Sequence, residues 1–377
     1  MNESAGRIHY KRMPSTTTAF ISKVKLNFLI EMSAAKSFSA LLLQITIVLL
    51  LVFNPANAQL KVGFYSNTCP KAEAIVKDVI DGVLSVAPSL AGPLLRMHFH
   101  DCFVRGCDGS VLLNSTTQQA EKDGPPNLTL RGYQVIDRVK SALEKACPGV
   151  VSCADIVAIV ARDVTVASKG LRWEVETGRR DGRVSIAAET LTNLIAPNAN
   201  ITTIITRFQA KGLSVKDAVV LSEKNPHAVD VILIPLCYTG SHTIGTSHCS
   251  SFNSRLYNFT GKGTDNDFDP TLDSEYVKEL KSKCKPGDQN SLVEMDPGSF
   301  RTFDADYYTL VSKRRGLFQS DAALLDNSIT KAYVNLQVAT QGSTFLKDFG
   351  DSMVKMGRVD VLTGTAGEIR KVCSKVN

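Results

Sequence analysis

The sequence predicts a mostly α-helical globular domain, and three observations carry that prediction. Apolar residues recur at helical spacing in segment after segment, alternating strand patterns are scarce, and there is no internal repeat. The composition, 44% apolar and 21% charged, is that of an ordinary folded protein. The formal charge of +6 is scattered without a Lys/Arg block, so nucleic acid is not an expected partner.

Taken in order, the chain opens on a leader. The apolar run Leu41–Phe53 is followed by Ala56-Asn57-Ala58, the pattern of a signal-peptide core with its cleavage site. Residues 1–58 are therefore predicted to be removed, leaving one domain from Gln59 to Asn377. Met32 would start a leader of normal length, which makes the polar stretch before it an upstream extension. The run is too short for a membrane span, so secretion without stable membrane association is expected. Export changes how the nine cysteines read: four disulfides plus one thiol left over. Sequons at Asn114, Asn127, Asn200 and Asn258 fit a secreted glycoprotein.

From Pro70, set at the first helical position, apolar residues at 75, 76, 79, 80, 83 and 84 predict a helix. Pro93–Ser110 carries the densest chemistry. Arg96, Phe99 and His100 are spaced i, i+3, i+4 and share one helix face, which sets a fixed cation beside an imidazole that can move a proton. Asp101, Asp108 and Ser110 then supply oxygens suited to a hard cation such as Ca2+. The stretch Asn114–Asn127 reads as a loop. Ser152–Ser168 is apolar nearly all round and predicts a buried helix. Ile204–Ala210 stops at Gly212, and Ser214 caps the helix after it. Ser274–Cys284, Ala305–Arg315 and Phe345–Met356 complete the predicted helices. His98, His227, His248 and Trp173 are read as packing or surface residues. A zinc pair of His98 with His100 lacks a further ligand at the usual spacing. Asp296–Asp304 reads equally as a solvated turn or as a second hard-cation loop.

The stretch LLRMHFHDCFVRGCDGS resembles the distal haem motif of the secretory plant (class III) haem peroxidases, and GSHTIG at Gly240–Gly245 resembles their proximal one. The resemblance runs from about Gln59 to the C-terminus. It implies a two-lobed helical domain holding one haem b between the lobes, with two Ca2+ ions. It implies His100 as the distal acid–base, Arg96 as the distal cation, and Asn127 as the partner fixing the tautomer of His100. His242 would be the axial iron ligand and Asp321 the acceptor of its other ring N–H. The distal Ca2+ site would use Asp101, Val104, Gly106, Asp108 and Ser110, with Glu121 acting through water. The proximal one would use Thr243, Asp296, Ser299, Thr302 and Asp304. The implied disulfides are Cys69–Cys147, Cys102–Cys107, Cys153–Cys373 and Cys249–Cys284, and Asp155 with Arg179 resembles the family's buried ion pair. Pro197 resembles a proline at the haem edge where donors bind, although Ile195 stands where a further proline is common. The implied activity is reduction of H2O2 with one-electron oxidation of phenolic donors, including lignin precursors, by a monomer. Asn127 is both a sequon and a catalytic partner, so it is expected to carry no glycan.

One segment departs from the family. Glu223–Thr239 separates the helix ending in VVLS from GSHTIG, is apolar with a strand-like bias, and contains the odd cysteine, Cys237. It reads as a retained intron or misassigned splice site. It also raises a second reading: a haem-poor, Ca2+-binding wall glycoprotein that keeps the fold and not the chemistry.

Overall fold

The computed structural model describes residues 60–221, 240–264 and 266–377, together with Gln44. The rest of the predicted leader, and Glu223–Thr239 with His227 and Cys237, lie outside these residues. The chain divides into two units at Asn57/Ala58, and the second, Ala58–Asn377, holds the peroxidase-like motifs.

Helices dominate this unit. The first, α1 (Ala72–Leu84), buries Ala72, Val76, Ile80 and Val83, one stripe at i, i+4, i+8 and i+11. It begins two residues later than the sequence predicts, because Pro70 sits in the preceding turn and Lys71 takes the N-cap position. Helix α2 (Ala91–Val104) carries the Arg96–His100 motif and is buried over most of its surface. Helix α3 (Tyr133–Ala146) and helix α4 (Cys153–Ala167) come next. In α4 every residue from Cys153 to Thr165 is buried, and the Ser152 hydroxyl caps it by accepting from Asp155 N. Helix α4 packs against both α1 and α2, which makes it the central element of the N-terminal half.

The segment before the break contains α5 (Ala187–Asn193), α6 (Ile201–Ala210) and α7 (Val215–Leu221). Gly212 adopts φ +72°, and Ser214 Oγ accepts from Asp217 N, the stop and start signals of the sequence. A 3-10 turn, Gly240–Thr243, then presents His242. The C-terminal half adds α8 (Asn253–Leu256), α9 (Ser274–Lys283), α10 (Asp306–Ser312), α11 (Gln319–Ala323), α12 (Ser328–Ala339) and α13 (Phe345–Met356). Helix α7 packs on both α12 and α13, and α10 packs on α12. Among the described residues the strands are short antiparallel pairs: β1 (Lys61–Val62) with β2 (Glu176–Thr177), and β3 (Thr246–His248) with β4 (Leu292–Glu294).

Disulfides Cys69–Cys147, Cys102–Cys107, Cys153–Cys373 and Cys249–Cys284 staple this arrangement. These are the pairs the resemblance implies. Cys153–Cys373 ties α4 to the C-terminus across a sequence separation of 220, where closing a long loop in the unfolded chain gains most. Asp155, fully buried, accepts from Arg179 Nη1 at 2.8 Å, from Gly178 N at 2.7 Å and from Tyr65 OH at 2.7 Å. A buried charge with this many donors is the satisfied kind.

Candidate active site

The site is built from α2 and the turn that bears His242. The two meet closely: a Cβ added to Gly92, near the start of α2, would lie 3.3 Å from Ile244 O. Along α2 the i, i+4 spacing brings Arg96 onto His100, and Arg96 Nε–H donates to His100 Nε2 at 3.0 Å. A guanidinium can only donate, so Nε2 is the unprotonated ring nitrogen and Nδ1 carries the hydrogen. That hydrogen goes to Asn127 Oδ1, and Asn127 Nδ2 in turn donates to Glu121 O at 2.8 Å, which fixes the amide's orientation. Burial, and then the Arg96 cation, hold the His100 pKa well below its ordinary value, against the raising effect of Asn127. His100 is thus neutral, with a basic nitrogen aimed at a cation.

Sequence reasoning missed the residues that hold Arg96. Its Nη1 donates to Thr129 Oγ1 at 2.8 Å and its Nη2 to Pro126 O at 2.9 Å. Both acceptors flank Asn127 in PPNLT, so the run serves both members of the Arg–His pair. No local pattern marks Thr129, which is a hydroxyl acceptor only by virtue of the fold.

Across the site, His242 is buried. Its Nδ1–H donates to Asp321 Oδ1 at 3.0 Å, and its Nε2 is buried with no hydrogen-bond partner among the described residues. Burial and then Arg96 hold its pKa well below the ordinary value, so it too is neutral. The Phe318 ring lies 5.0 Å from the imidazole and the Tyr307 ring 5.7 Å, both edge-on. Asp321 also accepts from Tyr307 OH at 2.9 Å and from Phe318 N at 2.8 Å. Gly316 lies against its Cβ so closely that any side chain there would collide. An imidazole with one nitrogen anchored to a carboxylate and the other bare and buried has the donor geometry of a metal ligand. The residues present therefore fit a haem, whose iron His242 would hold.

Two groups of oxygens flank these histidines. After His100, Asp101 accepts from Gly109 N and Val111 N, and Asp108 accepts from Ser110 N. Burial and then Asp108 raise the Asp101 pKa, while burial and then Asp101 raise that of Glu121. Among the described residues, both Glu121 oxygens and Ser110 Oγ are buried without a hydrogen-bond partner. Val104 ends α2, and Gly106 follows it at φ +92°. After His242, Thr243 Oγ1 donates to Thr302 O at 3.3 Å and lies 3.1 Å from Asp304 Oδ1. Asp296 is pushed up to about 7 by burial and then by Asp304 and Asp306. Asp296 Oδ2 and Ser299 Oγ are likewise buried without partners among the described residues. No three His, Cys, Asp or Glu side chains of the described residues converge into a metal cluster by themselves. A cation at either place would draw on hydroxyls and backbone carbonyls as well, which is what a hard, oxygen-seeking ion accepts. Raised carboxylates and orphaned hydroxyls fit such an ion.

Pro197 is buried, and its carbonyl accepts from Ser320 N at 2.9 Å, linking its loop to the residue before Asp321. His98 packs 3.6 Å from Cys102 Sγ, and burial lowers its pKa to about 3, which matches a packing role. Trp173 packs edge-on against Phe349.

Comparison with known proteins agrees with this geometry. The peroxidase family model matches residues 76–340. The chain belongs to the peroxidase family. Peroxidase 27 of Arabidopsis thaliana is 60% identical over 330 residues, covering 87% of this chain and 96% of the relative. Peroxidase 56 of the same plant is 57% identical, covering 89% and 97%. Peroxidase 1 of Oryza sativa subsp. japonica is 54% identical, covering 92% and 100%. The chain is a plant peroxidase that reduces H2O2, and the haem-poor alternative is not favoured.

Proposed function

We propose that this peroxidase is secreted, works as a monomer with one haem b and two Ca2+ ions, and oxidises phenolic donors, lignin precursors among them, by one-electron steps. The observation that carries the reading is the buried Nε2 of His242, bare of any hydrogen-bond partner among the described residues, on an imidazole anchored to Asp321. The fold packs its turn against the helix of Arg96 and His100.

Bound haem supplies the iron at which peroxide is reduced. Each other task falls to side chains. His242 Nε2 holds the haem, and Asp321 keeps the proton on Nδ1 and raises the basicity of the ring. His100 Nε2, unprotonated in its Asn127-bound tautomer, takes a proton from H2O2 and returns it to the departing oxygen. The Arg96 cation, braced by Thr129 and Pro126, offsets the negative charge that develops as the O–O bond breaks. Asp101, Val104, Gly106, Asp108, Ser110 and, through water, Glu121 hold one Ca2+. Thr243, Asp296, Ser299, Thr302 and Asp304 hold the other. In each set the first ligand directly follows a haem-side histidine in the chain, so the ion stiffens that histidine's backbone. Pro197 borders the donor edge.

The test is stopped-flow reaction of haem-loaded protein with H2O2. Arg96→Leu and His100→Leu should each slow it by roughly 10²–10⁴-fold, the range for a positioned acid–base or charge-stabilising group. Wild-type rates in both variants would refute the assigned roles.

A further inference from the structure

A row of rings leads from His242 to the protein surface. The His242 ring lies 5.7 Å from that of Tyr307, Tyr307 lies 5.3 Å from Tyr308, and Tyr308 lies 5.7 Å from Tyr333. Tyr307 and Tyr308 sit on α10 and Tyr333 on α12, two helices packed together, so the row is held rigidly. Tyr333 lines a cavity of about 400 Å³ with an apolar floor of Val219, Ile329 and Leu336 and a polar edge of Lys216 and Asp348. That size, apolar body and single polar edge suit a small aromatic alcohol.

Aromatic rows are usually packing, but the hydroxyls here argue for more. A phenol gives up an electron readily only when its proton can leave at the same time. Tyr333 OH donates to Asp348 Oδ2 at 3.0 Å, and Tyr307 OH donates to Asp321 Oδ1 at 2.9 Å, so both have a carboxylate in place to take the proton. Tyr308 OH is buried with no hydrogen-bond partner among the described residues. It would be crossed by the electron rather than hold the radical. For packing alone, phenylalanine would serve better at 308, since a buried hydroxyl without a partner lowers stability.

We propose that the groove between α7, α12 and α13 is a second donor site, where a phenolic ring is oxidised at Tyr333 and its electron passes through Tyr308 and Tyr307 to the His242 side of the haem site. This rests on the peroxidase reading above, because H2O2 is the oxidant. Tyr333 loses one electron inward and its phenolic proton to Asp348. The donor then returns one electron and one proton to Tyr333 and leaves as a phenoxyl radical, while Asp348 releases its proton to solvent. Two such cycles supply the two electrons that, with two protons from solvent, turn one H2O2 into two waters.

The experiment uses the full chain loaded with haem, mixed with one equivalent of H2O2 and frozen for electron paramagnetic resonance. Peroxide consumption is read in the same samples. The wild type should give a tyrosyl radical, and a nitroso spin trap should leave its adduct on the peptide containing Tyr333. Tyr333→Phe keeps the ring and removes the hydroxyl, and should lose the adduct on that peptide, leaving any tyrosyl signal to Tyr307. Ala332→Trp fills the groove, and should keep the radical but slow oxidation of a polymer-tethered phenol. Peroxide consumption with no tyrosyl signal, or with an adduct on the Tyr333 peptide that survives in Tyr333→Phe, overturns the relay and leaves the peroxidase reading intact. Undiminished oxidation of the tethered phenol by Ala332→Trp overturns the donor groove. A wild type that consumes no peroxide overturns the peroxidase reading, and the relay with it.

Discussion

Asp321→Asn is the substitution that most directly tests how the proximal side works. Asp321 is buried and accepts hydrogen bonds from His242 Nδ1–H and Tyr307 OH on one oxygen, and from Phe318 N–H on the other. Asparagine is the same size but has only one acceptor. If its oxygen faces His242 and Tyr307, its NH2 is forced against Phe318 N–H, leaving buried donors facing each other. The close approach of Gly316 gives the side chain no room to turn away. The orphaned donors should cost about 1–3 kcal/mol of stability. The anionic partner of His242 is lost as well. Loss of an outer partner of a metal-bound histidine typically weakens metal binding by about 10–100-fold, or roughly 1.4–2.7 kcal/mol. Haem is titrated into the apoprotein by its absorption band, and urea unfolding is measured in parallel. The expected result is haem affinity down by about 10–100-fold together with a lower urea midpoint. Tyr307→Phe is the control: it removes one hydrogen bond to the carboxylate and leaves that carboxylate on His242, so it should cost about 1.5–3 kcal/mol of stability without that loss of affinity. Asp321→Asn that binds haem as tightly as wild type, while losing the expected stability, would show that Asp321 supports the fold and does not tune His242.

Removal of Ca2+ should make stability depend on pH in a defined direction. Asp296, with a folded pKa of about 7 against an ordinary 3.8, binds more protons folded than unfolded, so metal-free protein loses stability as pH rises between those values, whereas a bound cation offsets the carboxylate charge. The difference in Tm between Ca2+-loaded and chelator-treated protein should therefore widen across that window, and a constant difference would count against cation binding at Asp296. Asp155→Ala leaves Arg179 buried without its carboxylate and should destabilise by about 3–5 kcal/mol in urea unfolding; an unchanged urea midpoint would mean that the Arg179 bonds to Gly357 O suffice. Deleting Glu223–Thr239 should preserve or raise haem loading, because α7, ending at Leu221, already packs against the turn that opens at Gly240. Haem loading that falls on deletion would make the segment a working part of the protein.

What is legible in the chain is what lies within one element. Arg96 and His100 are one helical turn apart, Ser152 caps its own helix, and Phe345–Met356 forms a helix over its whole predicted span, because each rests on short-range spacing and hydrogen bonding. Helix α3 carries an equally readable stripe at Val135, Ile136, Val139 and Leu143, although it is absent from the predicted helices. Helix α12 is harder, since it buries Thr330 and Gln337 beside Tyr333 and Val334 and so blurs the apolar period. The long-range partners have no local signature: Asp321 reaches His242 across 79 residues, and only the family resemblance singles it out. Tyr307 and Thr129 have no such aid, and each acquires a role only when the fold sets it beside Asp321 or Arg96. The same reasoning explains the tyrosine row. Tyr307 and Tyr308 are adjacent in sequence, yet one meets a carboxylate while the other finds no partner among the described residues, because neighbouring helical positions point about 100° apart. A sequence can state that two phenols are present; which of them can release a proton depends on what the other helices bring to it.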